Sequence, residues 1–108
     1  MLTEHGWMTI YHGVDGTIRP GVDHQPEVRY CAGVLVLDHE DPRRVLYRSS
    51  TPILAPDLAE ERTGIVDNVV FPTAVDVRAN GRIDVYYGMA DARIGVARMI
   101  VPRTLPSM

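Results

Sequence analysis

Residues Gly81–Asp91 read GRIDVYYGMAD, and Gly6–Asp15 near the other end read GWMTIYHGVD. Each stretch opens on glycine, runs through alternating residues to an aromatic pair or near-pair, and closes on glycine and an acid. Alternation of this kind is the period of a strand with one buried face. With Gly6–Gly13 laid on Gly81–Gly88, an offset of 75 residues, the apolar runs that follow also match: VRYCAGVLV after the first and ARIGVARMI after the second. A repeated antiparallel unit with one long loop is compatible with β-propeller blades.

Working outward, the chain reads as all-β with about six short strands. Trp7–Tyr11 alternates and is rich in β-formers. Thr17–Glu27, with Gly21, Pro20 and Pro26, reads as a loop. Val28–Leu37 is apolar almost throughout, which suggests burial on both faces. Asp38–Arg43 is a turn, Val45–Arg48 a short strand, and Thr51–Pro56 is extended, because a residue before proline is driven out of the helical region. Asp57 with Glu60 resembles a capping box and Gly64 a helix stop, so one helical turn is expected there. Asn68–Arg78 is a strand in which Pro72 predicts an edge position or a bulge. Asn80-Gly81 predicts a type I′ hairpin turn, since both residues tolerate positive φ. Arg82–Tyr87 and Ile94–Val101 complete the strands, and the tail PRTLPSM is a loop. The expected division is one blade's strands in 1–56, a connecting loop in 57–67, and the last blade's strands in 68–101. The first unit then holds its second, third and fourth strands, and the second unit its first, second and third. Neither is a whole four-stranded blade, so the chain is expected to be part of a larger ring.

Composition narrows the function. The length of 108 residues suits one domain, and 45% hydrophobic residues exclude a disordered chain. The net charge is −3 and the basic residues, all arginine, are scattered, which argues against nucleic acid and anionic membranes as partners. Cys31 is the single cysteine, so no disulfide forms within the chain; a buried inert thiol and a cytoplasmic location are expected. The N-terminus MLTEHGW lacks the basic start and apolar middle of a signal peptide. His5, His12, His24 and His39 lack metal-ligand spacing, and no phosphate-cradling glycine loop occurs. Ser49-Ser50 has no nucleophile-elbow context, and Asp38, Glu40 and Asp41 read as a solvated acidic turn.

Four segments in order carry a resemblance: GWMTIYHGVD, YCAGVLVLDHEDPRRVLYRSSTPILAP, GIVDNVVFPTAVDV and IDVYYGMADARIGVA. Together they resemble the C-terminal portion of glycoside hydrolase family 130, the β-mannoside phosphorylases and related mannosidases. The resemblance implies part of a five-bladed β-propeller with its active site in the central funnel. It implies inverting cleavage of a β-mannosidic bond, in which a carboxylic acid protonates the leaving oxygen while inorganic phosphate, or water in the hydrolases, attacks the opposite face of the sugar. The implied partners are a β-mannoside oligosaccharide and phosphate as co-substrate, with no organic cofactor and no metal. No position here matches the family's proton donor, so no catalytic residue is expected in this chain.

What the resemblance does imply is a sugar-side wall. Asp91 matches the family acid that bonds mannosyl hydroxyls, and a carboxylate accepts two such bonds at once. By spacing alone Asp91 reads first as a turn aspartate after a strand, which is common. Phe71 matches an aromatic lining the sugar subsite, with plain core as the other reading. Tyr11 and His12 match the family's YHG strand end, facing sugar or phosphate; a lone histidine also serves as a structural hydrogen-bonder. Asn68, after Asp67, is expected to form a turn, with lining the funnel as the lesser reading. Two functions follow: part of a β-mannoside phosphorylase or mannosidase completed by an N-terminal companion chain or a longer reading frame, or a non-catalytic remnant that self-associates through open strand edges or binds sugar weakly.

Overall fold

A computed structural model describes residues 1–21 and 27–106. It holds two antiparallel sheets. The first contains β1 (Leu2–Thr3), β2 (Gly6–Gly16), β3 (Val28–Leu37) and β4 (Val45–Arg48), in that spatial order. A single helical turn, α1 (Ala59–Arg62), leads to the second sheet of β5 (Val70–Val77), β6 (Arg82–Met89) and β7 (Arg93–Ile100). The repeat therefore aligns β2 with β6 and β3 with β7. β1 takes the place of β5, so the first unit has its first strand after all. Two residues are too few to show a period.

The sheets pack face to face. Alternation along β2 puts Met8 and Ile10 on one face, where Met8, Val34 and Val36 meet Ile83 and Val85 of β6. A second cluster, Val70, Tyr87 and Met89, lies at the other end of the second sheet, with Leu54 against it. A backbone seam joins the sheets beside it. The Tyr30 N–H donates to the Asn68 carbonyl at 2.9 Å, and Tyr30 and Val69 form a parallel bridge. Asn68 reaches this seam with φ 59°, a conformation asparagine tolerates, so its turn-forming role holds. Leu54 pairs with Ala32, which accounts for the extended Thr51–Pro56 segment.

Several boundaries move. β2 runs on to Gly16 beyond the expected Tyr11, because Gly13, Val14 and Asp15 stay paired with Cys31, Tyr30 and Arg29. The last two strands are Arg82–Met89 and Arg93–Ile100. Pro72 meets both of its expectations: β5 is an edge strand, and its register shifts between Pro72 and Ala74. The Asn80-Gly81 turn is type I′, with φ 60° and 75° and the Arg82 N–H donating to the Ala79 carbonyl at 3.2 Å. The helical cap lies one residue later than expected. Leu58 is the N-cap, and Glu61 in place of Glu60 turns back to accept the Asp57 and Leu58 N–H groups, both at 2.9 Å. Of the expected Thr17–Glu27 loop, residues 22–26 lie outside the described residues, as do residues 107–108 of the tail.

Candidate functional site

Adjacent side chains on a strand point to opposite faces. Tyr11 and His12 divide in this way. The imidazole of His12 reaches across to the second sheet, where its centroid lies 4.3 Å from that of Phe71 with the rings tilted by 30°. Phe71 is 37% exposed, so part of its ring stays open. Gly88 lies opposite Phe71 in the register, and a Cβ there would only touch the Phe71 Cβ, 3.8 Å away, at ordinary contact distance.

Asp91 sits at the same end of the second sheet, in the turn between β6 and β7. The Ala92 N–H donates to the Met89 carbonyl at 3.0 Å, and Ala90 and Asp91 have φ 50° and 54°. The turn is thus type I′, built from alanine and aspartate in place of the usual asparagine and glycine. Asp91 is exposed, and among the described residues its carboxylate has no hydrogen-bond or ion-pair partner. An open carboxylate on a fixed turn suits a ligand that brings its own donors, such as a sugar diol.

Tyr11 stands apart from these three. It lines an open groove of about 550 Å³ on the opposite face of the first sheet, with Asp15, Arg48 and Ser49–Pro52. The Arg48 Nε donates to the Tyr11 hydroxyl at 3.3 Å, and the guanidinium carbon lies 5.6 Å from the ring centroid. Gly33 makes room for this ring, since a Cβ there would come within 2.6 Å of it. Below the tyrosine, Arg29 binds Asp15 at 2.8 Å and holds its carboxyl below the usual range. Asp15 ends the first copy of the repeat one place short of where Asp91 ends the second, and it is spent on a cross-strand ion pair.

The residue that sequence reasoning missed is Glu61. It is 2% exposed, yet it accepts three hydrogen bonds: the two cap N–H groups and the Tyr87 hydroxyl at 2.5 Å. Burial pushes its pKa up, but Tyr87 and the two N–H groups outweigh that, and the carboxyl lies below its ordinary value. Burial and the neighbouring Glu61 push Tyr87 to about 12. A buried, ionised glutamate facing a neutral tyrosine is the consistent assignment. The signal was the cap pattern itself, read one residue early. Cys31 is buried as expected, and burial raises its thiol. Among the described residues, no cluster of histidine, cysteine, aspartate and glutamate side chains would hold a metal ion. Among the described residues, no helix is long and apolar enough to cross a membrane.

The family model described as beta-1,4-mannooligosaccharide phosphorylase, of glycoside hydrolase family 130, matches residues 1–106. The chain belongs to this family. It is 45% identical over 94 residues to a beta-1,2-mannobiose phosphorylase of Thermoanaerobacter sp., covering 87% of this chain and 28% of that protein. Over 96 residues it is 38% identical to a beta-1,4-mannooligosaccharide phosphorylase of Ruminococcus albus, covering 88% and 27%. Among solved structures, the beta-1,2-mannobiose phosphorylase of Listeria innocua in complex with beta-1,2-mannobiose superposes with a TM-score of 0.73 at 34% identity, covering 91% of this chain and 25% of that one. The chain thus spans about a quarter of the length of the relatives it matches. Its two sheets are a partial propeller of this family.

Proposed function

We propose that this chain supplies part of the sugar-binding funnel of a β-mannoside phosphorylase or mannosidase. The observation that carries the reading is what one end of the second sheet holds: the Phe71 ring, buttressed by His12, and in the turn at that same end the open carboxylate of Asp91. Phe71 offers an apolar ring to the C–H face of a mannosyl unit, and Asp91 accepts its hydroxyl protons. Phosphate, or water in a hydrolase, attacks from the opposite face, and the proton donor comes from a segment beyond these residues. The reading requires no organic cofactor. Family membership and the mannoside-phosphorylase names of several relatives support it.

Titrating the purified chain with β-1,4- and β-1,2-mannobiose, followed by amide NMR, tests the wall. Shifts centred on Phe71 and Asp91 that vanish in Asp91→Asn are expected. Shifts that survive in that variant, or that centre on the Tyr11 groove, overturn the role of Asp91. Phosphorolysis by the chain alone is not expected, and release of mannose 1-phosphate by the pure protein would contradict that.

One observation favours self-association as the companion reading. β7 is an edge strand, and its outer face carries Ile94, Val96 and Ile100, each more than half exposed. An unpaired edge beside an apolar face is a template for another sheet. That sheet is a second copy of this chain or a companion chain bearing the other blades.

A further inference from the structure

The Ala90–Asp91 turn is unusual for its composition. Consecutive L-residues in the left-handed region are disfavoured, and alanine has no side-chain group with which to compensate. Such a conformation persists only where the surroundings impose it. Here they do so through backbone. Ala90 is fully buried, its N–H donates to the Val69 carbonyl at 3.0 Å, and its own carbonyl accepts the Val66 N–H at 3.1 Å. Gly64 closes the contact, since a Cβ there would lie 2.4 Å from the Ala90 oxygen and 2.7 Å from its Cβ. The expected helix stop at Gly64 therefore has another purpose, because Thr63 already ends the helix.

The clamping segment is itself held. The Glu61 carbonyl accepts the Val69 N–H at 3.0 Å, and the Arg62 carbonyl accepts the Asn68 N–H at 3.2 Å. The Glu61 carboxylate caps the start of the turn of helix and takes the Tyr87 hydroxyl at 2.5 Å. Tyr87 lies on β6, three residues before Ala90. The loop is thereby tied to the strand whose end it clamps.

We infer that Glu61, Tyr87 and Gly64 are positioning residues: through the 57–69 segment they force the Ala90–Asp91 turn into left-handed backbone and so fix the direction in which Asp91 offers its carboxylate to a β-mannoside. The sugar half of this inference rests on the function proposed above; the backbone half stands apart from it.

The test uses the full chain, with Tyr87→Phe and Gly64→Ala as variants. Tyr87→Phe keeps the ring in its cluster and removes only the hydroxyl, so it serves even where Gly64→Ala does not fold. In the parent, a strong intraresidue contact between amide and α protons is expected at Ala90 and Asp91, the signature of positive φ. It should weaken in both variants, with the first-sheet amides unmoved. Affinity for β-mannobiose should fall at least tenfold, although Asp91 is intact. Adding Ala90→Gly to Tyr87→Phe should restore the signature at Asp91 and the affinity, because glycine adopts the left-handed region unaided. Persistence of the left-handed signature in Tyr87→Phe overturns the inference, whatever the sugar does. A loss of signature that Ala90→Gly cannot rescue also overturns it, since the damage is then general. If Asp91→Asn binds mannobiose as well as the parent does, the sugar reading fails while the backbone signature still decides the clamp.

Discussion

The His12 ring meets the Phe71 ring at 4.3 Å and joins the first sheet to the strand that opens the second. An aromatic pair of this kind contributes about 0.5 to 1.5 kcal/mol beyond the area it buries. A double-mutant cycle of His12→Ala and Phe71→Ala, read by urea unfolding, should return a coupling of about that size. Strict additivity would show that the rings are neighbours without interaction.

The Glu61–Tyr87 pair gives stability a pH signature at both ends. The Glu61 carboxyl is lowered on folding, so its contribution is present above the unfolded glutamate value of roughly 4.3 and is lost as pH falls through the lower folded value. Tyr87 is raised to about 12, so its contribution is complete below the unfolded value of roughly 10 and fades as pH climbs through the folded one. The stability gap between the parent and Glu61→Gln should narrow between pH 5 and pH 3. The gap to Tyr87→Phe should narrow above pH 10. Gaps that stay constant across both windows would mean that neither group titrates differently on folding.

Two glycines of β2 should respond with opposite sign. Gly6 has φ 134°, and a Cβ there would lie 2.2 Å from the Leu37 carbonyl oxygen. Gly6→Ala should cost about 2 to 3 kcal/mol, since a strained backbone and a backbone clash coincide. A Cβ on Gly13 meets nothing within 4 Å. Gly13→Ala should stabilise by about 0.5 to 1 kcal/mol, through the lower entropy of its unfolded chain. Thermal melts of the two variants decide the matter, and equal effects would contradict the geometry.

If β7 recruits another sheet, charge on its outer face should prevent it. Ile94 and Val96 are 81% and 58% exposed, and lysine on an edge strand blocks pairing. Light scattering should find the parent above 12.0 kDa and the Ile94→Lys/Val96→Lys variant at that mass. A parent that is monomeric at high concentration would remove the self-association reading.

Much of this architecture was legible because the local chemistry agreed with it. Asn80-Gly81 names its turn, as both residues accept positive φ. The alternation in β2 and β6 gave the strands and the repeat. Asp91 was readable as a turn aspartate, but the type I′ geometry of Ala90–Asp91 was not, because alanine carries no local preference for it; the cause lies in Gly64 and Val66, far along the chain. β2 seemed to stop at Tyr11 because Gly13, Asp15 and Gly16 are turn formers, yet the Asp15–Arg29 ion pair and the facing strand keep them in the ladder. The candidate site was legible only as separate residues. That His12 and Phe71 meet while Tyr11 turns away depends on how the sheets stack, and a linear pattern does not encode it.

The seam between Tyr30 and Asn68 is made by main-chain atoms. Every residue except proline carries that N–H, and every residue carries that carbonyl. Outside the apolar core that the sheets share, a duplicated unit joined in this way is free to diverge in its side chains and still keep this seam. One copy can therefore spend its closing acid on an ion pair with Arg29 while the other leaves its acid open, and the joint between them records no difference.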